Sequence, residues 1–158
     1  MKPVFATAIA AALFTAAAVA ANAQDASRPT AVPPPENEPY TPGLGEIMAR
    51  QQMRHIKLWF AGRAGNWPLA DYEIDELKEG FDDVTKLLGG DIVDRHVGAP
   101  IAALEKSIGG KDRPAFVTAF DKLSAGCNAC HQTLDHGFIV IERPTLLPYG
   151  NQSFTPQR

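Results

Sequence analysis

The chain of 158 residues contains two cysteines, three positions apart, with a histidine directly after the second: Cys127-Asn128-Ala129-Cys130-His131. This C-x-x-C-H spacing is the signature of covalent haem c attachment. The chemistry accounts for the spacing. Each thiol adds to one vinyl group of the haem, and the next residue presents an imidazole to the iron from the proximal side. On a helix, positions i, i+3 and i+4 share a face, so Cys127, Cys130 and His131 can address one ligand. Three other uses of two thiols fit less well. A structural disulfide would close a very small loop and constrain little chain entropy. A zinc site takes about four ligands, and the chain has no second C-x-x-C. A thioredoxin-like dithiol expects a βαβ setting, which the sequence does not offer.

The motif needs a helix to hold it, and the preceding residues predict one. Asp112 is placed to cap a helix with Pro114 in its first turn, running from about Arg113 to about Asp135. At 100° per residue, Phe116, Ala119, Phe120, Leu123, Cys127, Cys130, His131 and Leu134 fall on an arc of roughly 120°. The attachment residues thus continue an apolar stripe. The cofactor is therefore expected inside a helical core and not on a surface loop.

Three further helices are predicted upstream. Gly45–Ala61 carries Met48, Ala49, Met53, Ile56, Trp59 and Phe60 on one broad arc, with His55 at its edge and Arg50, Arg54 and Lys57 opposite. Asn66-Trp67-Pro68 opens a second helix with the stripe Ala70, Ile74, Leu77, Phe81, Val84 and Leu88, stopped by Gly89-Gly90. Asp91–Gly98 reads as a connection, and Ala99–Ile108 as a shorter third helix. No paired strands are predicted. The fold class is all-α: an antiparallel four-helix bundle over residues 43–136, in which cofactor sites are built from facing helices. Residues 137–158 form an irregular, extended tail. Its apolar run Phe138–Ile141 is expected to fold back over the bundle end and shield the haem edge.

Residues 1–23 read as a secretory signal peptide. Lys2 precedes an Ala-rich apolar run, and Ala21-Asn22-Ala23 is a small-x-small cleavage site, with cleavage after Ala23. Residues 24–42 form a Pro-rich, unpacked leader with six prolines. No other apolar run approaches the length of a membrane span, so a soluble exported protein is expected, periplasmic in a Gram-negative source. Export favours the haem reading, because bacteria attach haem to C-x-x-C-H outside the cytoplasm. The net charge of −3 argues against a nucleic-acid partner. No phosphate loop, nucleophile elbow or metalloprotease motif is present, and no enzymatic activity is expected.

Four helices, an export signal and C-x-x-C-H on the last helix resemble the class II c-type cytochromes, cytochrome c′ and its low-spin relatives. The resemblance covers roughly residues 45–136. It implies one covalent haem c in the bundle core, with thioethers at Cys127 and Cys130 and His131 as proximal ligand. It also implies that the first helix faces the distal side. Low-spin members place a Met there as sixth ligand, whereas cytochrome c′ leaves the position without a protein ligand. In this chain Met53, His55 and Met48 compete for that place, with no protein ligand as the fourth case. The 27 residues after His131 and the Pro-rich leader depart from the family pattern. The function expected is single-electron carriage between redox partner proteins. The alternatives are a five-coordinate haem protein binding NO or CO, and a haem-free helical interaction module. Class II relatives often dimerise through their first two helices, so the resemblance also allows a homodimer.

Overall fold

The computed structural model describes residues 39–147 and 149–156. The chain divides into residues 1–40 and 41–158, and all four helices belong to the second unit. The signal peptide expected over 1–23, and all but the last four residues of the expected leader, lie outside the described residues.

The described residues are all-α, with four helices and no strand. They are α1 (Leu44–Ala64), α2 (Trp67–Leu88), α3 (Ala99–Gly109) and α4 (Arg113–Thr133). Local chemistry sets their ends. Asn66 caps α2, its side chain accepting from the Leu69 N–H at 3.3 Å, and Pro68 sits in the first turn, where its missing N–H costs no bond. Asp112 caps α4 in the same way, accepting from the Ala115 N–H at 3.0 Å, followed by Pro114. Gly65 ends α1 in the left-handed conformation (φ 72°), which glycine adopts without steric cost.

The segment between α2 and α3 differs from expectation. Asp91–Gly98 is not an open connection: the chain is helical from Ile92, passes through a wide π turn at Asp94–Gly98 and runs straight into α3. The physical reason lies in Pro100. A proline inside a helix cannot donate to the carbonyl four residues back and crowds it. The affected carbonyl, that of His96, instead faces Gly126 of α4, where an added Cβ would lie 2.4 Å from it. The two elements approach at a position that only glycine allows.

α1 packs along α2 and α3 along α4; α2 also meets α3, and α1 meets α4. One core joins them, including the fully buried Leu58, Ile74, Leu104, Phe116, Phe120 and Leu123. α1 and α4 approach closely where Gly62 meets the Phe116 ring; a Cβ on Gly62 would lie 2.1 Å from Phe116 Cζ. Trp59, Phe116 and Phe120 form an aromatic cluster there, with Trp59 and Phe120 ring centroids 4.9 Å apart. Among the described residues no helix is long and apolar enough to cross a membrane.

The tail is docked against α4 and α1. Asn128 holds Ile141, Arg143 pairs with Asp121 through both of its carboxylate oxygens, and the Arg143 guanidinium lies 4.7 Å from the Trp59 ring. Phe154 is buried against Phe60, with centroids 6.0 Å apart.

Candidate functional site

Away from the Gly62–Phe116 contact, α1 and α4 border a cavity of about 420 Å³. That lies within the range of small-molecule and cofactor pockets, roughly 300–1,000 Å³. α4 contributes Leu123, Cys127, Cys130, His131 and Leu134; α1 contributes Leu44, Met48, Gln51 and His55. α2 supplies Leu77, Phe81 and Val84, the π-turn segment supplies Val93 and Val97, and the tail closes one side with Ile139 and Ile141. The wall is overwhelmingly apolar, and its few polar groups are concentrated on α1 and around the motif.

Cys127, Cys130 and His131 therefore stand together on one wall, as their i, i+3, i+4 spacing on α4 requires. Both cysteines are free thiols and half-buried. Burial pushes the Cys127 thiol up to about 12, with the neighbouring Cys130 adding to the effect, and burial raises Cys130 as well. Both are protonated at neutral pH, whereas a reactive redox dithiol is tuned the other way, toward thiolate. Among the described residues no three His, Cys, Asp or Glu side chains converge to hold a metal ion by themselves.

His131 Nδ1 lies 2.9 Å from the Ile139 carbonyl oxygen. A carbonyl only accepts, so Nδ1 carries the hydrogen. In the neutral ring the Nε2 lone pair is then left free for a metal. This partner comes from the tail, eight residues on, and motif reasoning could not find it.

The three residues considered for the opposite side are placed differently. Met48 lines the cavity and packs partly buried against the core. His55 also lines it, buried at 4% exposure, with its ring 4.3 Å from Phe120. Its Nε2 lies 2.8 Å from Ser124 Oγ, and that hydroxyl donates to the Phe120 carbonyl at 3.1 Å. With the Ser124 hydrogen committed, Nε2 is the donor, so ligation through Nε2 would break a buried hydrogen bond. Burial alone lowers the His55 pKa to about 4, so the ring is neutral. Met53 is half-buried but is not part of the cavity wall. Five residues turn the helix by about 140° relative to Met48, whereas the seven from Met48 to His55 return almost to the same face.

The cations of α1 do not line the cavity. Arg54 bridges Glu73 at 3.2 Å and Glu76 at 2.6 Å on α2, and Lys57 sits 5.4 Å from the Tyr149 ring. Trp59, Phe116 and Phe120 belong to the core beneath the cavity and not to its wall. His136 is solvent-exposed, yet it reaches the cavity rim and hydrogen-bonds the Leu134 carbonyl at 2.5 Å. His96 lies outside the cavity, 3.2 Å from Thr133 Oγ1.

The donor set fits a haem c: two unpaired thiols three residues apart, an adjacent imidazole with Nδ1 tied, and an apolar chamber in front of them. Compared with protein-family models, with curated protein sequences and with solved structures, the chain matches none.

Proposed function

We propose that this protein is an exported monohaem c-type cytochrome, an antiparallel four-helix bundle of the class II kind that carries single electrons between redox partner proteins. One observation carries the reading. Cys127, Cys130 and His131 line a single apolar cavity, and the His131 ring is tied through Nδ1 so that Nε2 is the free nitrogen.

In this reading the thiols of Cys127 and Cys130 would hold the haem by two thioethers, and His131 would offer its free Nε2 to the iron. When bound, the haem would supply one-electron chemistry. The protein's part is to orient the imidazole, exclude water and lower the local dielectric with Leu77, Phe81, Val84, Val97 and Leu123. Met48 would be the side chain available as a second protein ligand, because it lines the cavity with no competing bond to break. Met53 is off the wall, and His55 is committed to Ser124. The signal peptide over residues 1–23 delivers the chain to the compartment where haem is attached.

The test is haem staining after denaturing electrophoresis of protein made with a cytochrome maturation system. A stained band that disappears on Cys127→Ala with Cys130→Ala is expected. An unstained wild-type band rejects the reading and leaves a haem-free helical interaction module. The apolar wall also suits a five-coordinate, gas-binding haem. A reduced spectrum that shifts strongly under carbon monoxide would select that function over electron carriage.

A further inference from the structure

Asn128, between the two cysteines, does something that haem attachment does not call for. Its Nδ2 donates to the Ile141 carbonyl at 2.9 Å, and its Oδ1 accepts from the Ile141 N–H at 2.7 Å. One side-chain amide thus satisfies both backbone groups of one tail residue. Two residues earlier, the Ile139 carbonyl accepts from His131 Nδ1 at 2.9 Å. The Ile139 N–H donates to the His136 carbonyl at 2.9 Å. The peptide carrying that carbonyl is therefore pinned on both sides, by His136 before it and by Asn128 after it.

We propose that Asn128 is a positioning residue for His131: by gripping Ile141 it holds the Ile139 carbonyl on Nδ1, and so sets the tautomer, orientation and donor strength of the proximal imidazole. The inference rests on the haem reading above. The chemistry favours asparagine at this position. Asparagine offers a donor and an acceptor side by side, as a strand neighbour would. Aspartate has no donor and would repel the Ile141 carbonyl; alanine has neither group. With the carbonyl held, the Nδ1–H is partly drawn off, Nε2 becomes a better donor, and ferric iron is favoured over ferrous. Were the tail released, the Nδ1–H would turn to water and the ring would be free to rotate.

The experiment uses the full-length, haem-bearing protein with Asn128→Ala, Asn128→Leu and, independently, Ile141→Pro. The last removes the Ile141 N–H and leaves the residues between the cysteines untouched, so it serves even where the Asn128 variants attach haem poorly. Midpoint potential is read out in each variant, and the ferrous iron–histidine stretching frequency in the same variants carrying Met48→Ala, where the iron is five-coordinate, beside haem stain and helical circular dichroism. In each variant that retains its haem, the potential should rise and the stretching frequency fall. Outer-shell changes at metal sites typically cost about tenfold or more. Each tenfold loss of ferric preference is about 59 mV for one electron. Unchanged potential and stretching frequency in haem-bearing Ile141→Pro overturn the proposal and leave Asn128 as a tail clamp only. An unstained wild-type chain overturns the haem reading itself, an outcome distinct from a stained chain whose potential does not move.

Discussion

The buried imidazole of His55 makes stability depend on pH in a window that can be worked out. His55 has a folded pKa of about 4, against an ordinary value of 6.5, because burial disfavours the charged ring. Above pH 6.5 both folded and unfolded chains carry it neutral, and it adds no pH dependence. Between 6.5 and about 4 the unfolded chain binds one more proton, so stability falls as pH falls. Each pH unit is worth about 1.4 kcal/mol, so the gap of about 2.5 amounts to about 3.5 kcal/mol, of which about 3 kcal/mol is lost by pH 4. The ring is 4% exposed, so solvent screening is slight. The assay is urea unfolding from pH 7.5 to 4 in wild type and His55→Gln, which keeps an amide for Ser124. Carboxylate titrations are common to both proteins and cancel in the difference. The wild type should lose about 3 kcal/mol more than the variant over the window. Parallel pH profiles would refute the buried neutral histidine.

Other outcomes rest on particular contacts. If the proposed haem is bound, Met48→Ala should lower the midpoint potential and let the reduced protein bind carbon monoxide, while Met53→Ala should do neither; a redox titration and a carbon monoxide difference spectrum check the two. Gly62→Ala should cost about 1–3 kcal/mol in urea unfolding, because its Cβ would meet the fully buried Phe116 ring. Gly45→Ala in the same helix meets nothing within 4 Å and should be neutral or stabilising by up to about 1 kcal/mol. Phe154→Ala should loosen the tail by about 1.5–3 kcal/mol, read as faster amide exchange at Ile141 with the helices still protected. Arg54→Met should cost several kcal/mol, because it strands the Glu73 carboxylate at 1% exposure; Arg54→Met with Glu73→Leu should recover most of that loss.

Much of this molecule is legible as sequence. The capped starts of α2 at Asn66 and α4 at Asp112 can be read directly, because a cap is a contact between residues three apart. So can the common face of Cys127, Cys130 and His131, because helical periodicity alone sets it. The expectation that Phe138–Ile141 folds back over the helices holds for alternate residues only: Ile139 and Ile141 reach the cavity wall, whereas Phe138 and Val140 are exposed. Helix periodicity fares worse on α1, where a broad apolar arc has two customers. One side of it meets the aromatic core and the other meets the cavity. Only the packing of α1 against α2 and α4 decides that Met48 and His55 face the cavity and Met53 does not.

The remaining features depend on residues far apart in the chain. The π turn at Asp94–Gly98 exists against Gly126, about thirty residues on, and a turn signal at Gly98 and Pro100 could not show that the helix continues. Arg54 reads as a free surface cation in the sequence, and only the fold brings Glu73 and Glu76 beside it. The tie between His131 Nδ1 and the Ile139 carbonyl, and the Asn128 grip on Ile141, involve backbone atoms, whose direction no residue type encodes. Sequence alone thus determined that Cys127, Cys130 and His131 share one face and on which helix they stand, because those are local, periodic properties. The tertiary structure decided what stands opposite them and what holds the histidine, because both depend on contacts between distant segments.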